Sequence, residues 1–286
     1  MGLKEGDRVH YRDLLYGMML ASGNDAANAT AISIAGSVEK FADLMNAKAQ
    51  ELGMDNTHFV TPSGLDDKEH YTTARDMAKL AVYAMKNEEF AKAAGSQTAR
   101  LEYGNPPYPR TLTNHNRLLR EYEGACGVKT GFTKKSGRCL VSAAKRGSKG
   151  LVAVTLNAPS DWNDHRLMLD YGFEQLETRQ MPVPEALGEI DVAGGAGPVR
   201  PAFEPPELAL LPADFDKLEV KILQEPFLYA PVRAGDPVGE VIYLLDGREI
   251  LRRAVTAENS VDIKPYDEQN ARPGFFDWLR VLAGAK

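Results

Sequence analysis

The 286-residue sequence predicts an α+β chain, and three observations carry that prediction. Apolar residues recur at helical spacing through residues 11–94. Gly-bounded extended runs follow from residue 98. A second set of alternating runs lies beyond a Pro- and Gly-rich stretch at 181–216. The expected organisation is a large domain over 1–178, a small all-β domain over 179–266 and an amphipathic helix over 267–286.

Taken in order, Leu14, Leu15, Met18 and Met19 mark a first helix, and an Ala-rich helix follows "SGN". Val38, Phe41, Leu44, Met45 and Leu52 form the apolar stripe of a third, which Gly53 ends. "HFVTPSGLDDKEHY" reads as a loop of turn formers, after which Thr73 and Asp76 make a capping box for a helix burying Met77, Leu80, Ala81 and Met85. "TARLEYG", "GVKTG", "GRCLVSAAKRG" and "GLVAVTLNA" read as strands, closed by a helix from Asp161 to Leu176. In the smaller domain "KLEVKIL", "VGEVIYLL" and "EILRRAVTA" alternate like half-buried strands, with Asp246-Gly247 as a hairpin turn between the last two. In the tail, Pro273 starts a helix in which Phe275, Trp278, Leu279 and Leu282 share one face, suited to a membrane interface or to packing on the β-domain. No run reaches the ~20 apolar residues of a membrane span.

Composition removes several function classes. Net charge is −6 and the 34 basic residues are scattered, so no nucleic-acid partner is expected. Cys126 and Cys139 are expected to be free thiols, and His10, His58, His70, His115 and His165 show no zinc-type spacing.

Two short elements carry chemistry. In "GVKTGF", Lys129 sits on a strand with Gly131 leaving the backbone open, so a peptide could lie beside it as an added strand and present a carboxylate to the lysine. The plainer reading is a solvated lysine on an edge strand. In "ASGNDAAN", Ser22 and Asn24 fall between two helices, where they could aim a hydroxyl and a carboxamide at one point. Taken alone, the plainer reading is that they are helix caps.

Together, an SxN turn between helices and a KTG strand about a hundred residues later resemble the penicillin-binding proteins and serine β-lactamases, whose signature set is SxxK, SxN and KTG. The chain is most similar to the low-molecular-mass D-alanyl-D-alanine carboxypeptidases. "GLKEGDRV", "SGNDAANA", "FADLMNAKAQELGMDNTHFVTPSGLDD", "HYTTARDMA", "LTNHNRLL" and "GVKTGFTKKSGRCLVSAA" carry that resemblance, which extends to the β-domain and the tail. It implies a penicillin-binding transpeptidase-like fold and a peptidoglycan stem peptide ending in D-Ala-D-Ala as substrate. Its terminal residue would leave through an acyl-enzyme, and β-lactams would bind as partners. Lys129 and Thr130 would hold the substrate carboxylate beside Gly131. The Phe132 N–H would serve the oxyanion hole, Ser22 a proton relay and Asn24 positioning, while His115 would face the substrate. No cofactor is implied, and the expected location is the outer face of the bacterial cytoplasmic membrane.

The family's nucleophile is the Ser of SxxK, upstream of SxN, and none stands before Ser22 in these residues. Two other matches, Ser37 with Lys40 and Ser142 with Lys145, are expected to fail: Ser37 as a helix N-cap, and Ser142 because a strand puts i and i+3 on opposite faces. The expectation is therefore a chain lacking its N-terminal SxxK and signal segments and inactive as it stands. The alternatives are a peptidoglycan-binding protein without catalysis and a class A β-lactamase, the latter disfavoured by Gly23 where those enzymes usually carry Asp.

Overall fold

The computed structural model describes residues 1–265 and divides into two units, one of Met1–Thr178 with Leu208–Leu211, the other of Arg179–Glu207 with the chain from Pro212 onward. The amphipathic tail with Phe275, Trp278, Leu279 and Leu282 lies outside the described residues. Among the described residues, no helix is long and apolar enough to cross a membrane.

The first unit opens with α1 (Tyr11–Ala21), α2 (Asn24–Ala35) and α3 (Val38–Glu51). Ser37 caps α3, its hydroxyl accepting from the Lys40 N–H at 3.2 Å. α4 (Ala74–Ala84) starts at Thr73, whose hydroxyl accepts from the Asp76 N–H. The expected capping box is only half made. The Asp76 carboxylate, 2% exposed, turns instead to the Asn56 N–H and the Thr57 hydroxyl, both at 3.0 Å, and so ties α4 to the loop before it. Leu44, expected in the apolar stripe of α3, is exposed, and the buried residues of that helix are Ala42 and Ala49.

After α5 (Glu88–Gly95), β1 (Thr98–Gly104) and β2 (Pro107–Thr113) form an antiparallel pair. The sequence reading missed β2 because Pro107 and Pro109 lack ladder donors. A strand paired on one side only accommodates them. A short α6 (Leu118–Glu121) leads into the central sheet of β3 (Ala125–Thr133), β4 (Gly137–Arg146) and β5 (Lys149–Thr155), antiparallel in that order. Then α7 (Asp161–Gln175) follows, with Leu169 and Phe173 in one buried cluster with Ala144 and Ala153 of the sheet. Tyr16, Met19 and Leu20 of α1 share the main core with Val128, Val141 and Ala143. Ala81 of α4 and Ala93 and Ala94 of α5 belong to the same core, and at ~25 cal/mol per Å² of apolar surface this burial holds α1, α4 and α5 together with β3 and β4.

In the second unit, Leu218–Gln224, Pro237–Leu245, Arg248–Ala257 and Pro201–Ala202 form a four-stranded antiparallel sheet. Asp246 (φ 49°) and Gly247 (φ 74°) make the turn between its two longest strands. This left-handed pair is the one that a two-residue hairpin demands.

Candidate active site

The α1–α2 corner is built on Ser22, which ends α1 in the left-handed region (φ 50°, ψ 43°), and Gly23, which precedes α2. Neither Ser22 nor Asn24 caps α2 with its side chain, and Asn24 is already the first residue of that helix. The capping alternative therefore fails. Asp25 steadies the corner instead, accepting from the Leu3 N–H at 2.8 Å, the Ala26 N–H at 2.9 Å and the Met1 ammonium at 3.1 Å. Burial alone would raise its carboxyl, but these donors outweigh it and hold the group at about 2.

Opposite the corner lies β3, an edge strand of the central sheet. Lys129 Nζ donates to Ser22 Oγ and, at 2.6 Å, to the Thr130 carbonyl. No charged group offsets its desolvation, so burial pushes the Lys129 ammonium down to about 8. The register shows which backbone groups are open. Phe132 faces Arg138, whose carbonyl accepts from the Ala158 N–H on the far side, so this is a non-hydrogen-bonded pair. The N–H and C=O of Phe132, and by alternation those of Thr130, therefore point away from β4; the Thr130 carbonyl is taken up by Lys129 Nζ, and the Phe132 groups and the Thr130 N–H face the open. Gly131 is exposed, and a Cβ built there would meet only Cys139 at an ordinary 3.7 Å. The fold's own packing does not require glycine at that position. What its absent side chain leaves free is the strand's outer face.

A groove of about 860 Å³ runs along this edge, lined by Ser22, Asn24, His115, Lys129, Thr130, Gly131 and Phe132 together. The structure thus gathers every residue that the sequence singled out for the site. His115 is exposed between two buried asparagines. Asn114 Nδ2 donates to the Ser96 carbonyl at 3.0 Å, and Asn116 Nδ2 donates to the Gly127 carbonyl at 3.1 Å, anchoring the start of β3.

Several groove residues were not picked out beforehand. His70 Nδ1 accepts from the Val60 and Thr61 N–H groups (3.0 and 3.3 Å), which places its proton on Nε2, and burial holds the ring below the usual imidazole range. Arg138 is ion-paired at 2.9 Å to the buried Asp161 and lies near the face of Trp162. No motif spacing announces these contacts, since each joins segments folded together only in three dimensions.

The two other SxxK matches fall away on geometry. Ser37 is spent as the cap of α3. Ser142 is 0% exposed and hydrogen-bonded to His165 Nδ1, while Lys145 projects to solvent. Cys126 and Cys139 are both free, and burial raises the Cys126 thiol.

Known proteins resemble this chain in sequence and fold. A sequence model described as D-alanyl-D-alanine carboxypeptidase, peptidase family S11, matches residues 1–160. D-alanyl-D-alanine carboxypeptidase DacF of Bacillus subtilis is 32% identical over 289 residues, 99% of this chain and 72% of its own length. DacC of Escherichia coli is 34% identical over 92% of this chain and 66% of its own length. The crystal structure of the D-alanyl-D-alanine carboxypeptidase DacD from Francisella tularensis superposes with a TM-score of 0.59 at 28% identity, covering 92% of this chain and 78% of that one. With its SxN corner and KTG strand facing one groove, the chain belongs to the D-alanyl-D-alanine carboxypeptidase family.

Proposed function

We propose that the groove serves a serine-type D-Ala-D-Ala carboxypeptidase, which removes the terminal D-alanine of peptidoglycan stem peptides through an acyl-enzyme and binds β-lactams in the same place. The observation that carries this reading is the Lys129–Ser22 hydrogen bond, which joins residues 107 apart at the floor of a groove bordered by a free strand edge. An extended peptide pairs with that edge through the open Phe132 backbone groups. Its terminal carboxylate meets Lys129 and the Thr130 hydroxyl. The Phe132 N–H is aimed where an oxyanion develops, a placement typically worth ~3 kcal/mol in a transition state. Ser22, in contact with an amine poised near neutrality, passes a proton to the leaving amine, and Asn24 and His115 border the peptide.

Neither SxxK match supplies the acylated serine, because Ser37 is a cap and Ser142 is sealed. For the 286 residues by themselves, that favours binding without hydrolysis. The test is a titration with a synthetic peptide ending in D-Ala-D-Ala, alongside incubation with fluorescent penicillin. We expect reversible peptide binding that Lys129→Ala weakens at least tenfold, and no covalent label. Binding indifferent to Lys129→Ala would overturn the assignment of the groove, and stable labelling would show that this chain supplies its own nucleophile. From the sequence of the tail we further infer contact with a membrane surface through Phe275, Trp278, Leu279 and Leu282, on the extracytoplasmic side where peptidoglycan is made.

A further inference from the structure

The two walls of the groove are joined at its mouth. One wall is the loop from His58 to Tyr71, closed at its base by paired backbone hydrogen bonds between those residues (2.9 and 3.0 Å). Inside the loop, His70 gathers the Val60 and Thr61 amides, and the Thr61 hydroxyl donates to the Leu65 carbonyl at 2.9 Å. The other wall is β3 and the turn that leads to β4. At the loop's tip, Asp66 Oδ1 accepts from the hydroxyls of Thr133 and Ser136, both at 2.9 Å. Thr133 Oγ1 in turn accepts from the Ser136 N–H at 2.9 Å, so the carboxylate grips a turn that is already internally bonded.

The neighbours of this clasp matter. Leu65 directly precedes Asp66, and Phe132 directly precedes Thr133. Both line the groove and both are exposed, Phe132 at 71%. We propose that Asp66 is a positioning residue for peptide binding: its carboxylate clasps the loop to the β3–β4 turn and fixes the separation of Leu65 and Phe132 across the mouth. An extended ligand pairing with β3 then meets a facing wall already in place, instead of losing affinity to the ordering of that wall. This role rests on the reading of the groove as a peptide site. Loop and turn are surface segments, so releasing them opens a local region and leaves the global unfolding transition nearly unchanged.

Two variants separate the clasp from simple loss of structure. Asp66→Ala removes the acceptor, whereas Asp66→Asn keeps a carbonyl oxygen able to take both hydroxyl bonds. We expect Asp66→Ala to weaken binding of a synthetic D-Ala-D-Ala peptide roughly five- to tenfold. Amide hydrogen exchange should quicken in residues 61–66 and 132–137, with the melting temperature held within about 2 °C. Asp66→Asn should stay within about twofold of wild type on all counts. Equal affinity of wild type and Asp66→Ala, unaltered exchange, or an Asn variant as poor as the Ala variant would each sink the clasp. A wild-type chain that binds no such peptide would instead sink the peptide reading of the groove, and this role with it.

Discussion

The first unit contains two serine–base pairs, and they have opposite fates. Ser22 meets Lys129 on the floor of an open groove, while Ser142 meets His165 with both residues 0% exposed. By residue type the second pair looks the more reactive, because serine and histidine form the better-known catalytic couple. Its surroundings decide otherwise. His165 Nε2 is engaged by the Thr155 hydroxyl at 3.0 Å, and burial pushes the ring down to about 4, against the pull of Asp161 and Asp164. No substrate can reach Ser142, so the pair fastens β4 and β5 to α7. The Ser22–Lys129 pair is held less deeply, faces free backbone groups, and carries an amine near 8 that can lose and regain a proton close to neutrality. What makes a site is access and an open partner for the ligand; the hydrogen bond between hydroxyl and base is common to both pairs.

The sharpest way to break this contrast is to remove the buried base. His165→Ala deletes a sealed ring and orphans the Ser142 and Thr155 hydroxyls, a loss of about 3 kcal/mol on the usual scale for buried groups. Urea unfolding should report it, and peptide affinity should be unchanged under conditions where the variant stays folded. Acid tests the same residue without mutation. The folded-state value near 4 lies below the ordinary imidazole value of 6.5, so the unfolded chain takes up the proton first. Stability present above pH 6.5 is therefore lost as pH falls towards 4, by about 3 kcal/mol for a shift of this size. A flat stability profile across that window would mean that burial does not hold the His165 ring neutral in the fold.

How much of this was visible in the sequence differs between the two pairs for a physical reason. SxN and KTG could be read because each packs its chemistry into consecutive residues. Even so, Ser22 could not be told from a cap until Gly23, and not a side-chain oxygen, was seen to precede α2. α1 to α4, α7 and the strands of the central sheet followed from periodicity and glycine punctuation, whereas α5 and the four-residue α6 are too short to show an apolar stripe of their own. β2 did not, since its prolines hide an edge strand. The Ser142–His165 pair, the Arg138–Asp161 ion pair and the Asp66 clasp were illegible because their partners stand 23 to 70 residues apart with no fixed spacing. Only the folded sheet and the loop packed beside it bring them together.

On the exposed side of the comparison the effects are smaller and concern charge. A ligand carboxylate needs the Lys129 ammonium, which is present below its value near 8 and lost above it. Peptide affinity should therefore fall as pH rises from 7 to 9, approaching tenfold by pH 9 if the charge carries the recognition, whereas Lys129→Ala should show no such step. Ser22→Ala then reads the direction of the floor's hydrogen bond. If Ser22 Oγ accepts from the ammonium, as the geometry has it, removing the hydroxyl leaves the charged form less well solvated and Lys129 titrates lower still. The change should be a fraction of a pH unit, in keeping with a hydrogen bond worth ~1 kcal/mol. A rise would mean that the hydroxyl had been donating to a neutral amine, with the proton resting on serine and the lysine already acting as its base. Nuclear magnetic resonance titration of the lysine Cε–H groups, assigned through Lys129→Arg, measures the sign directly.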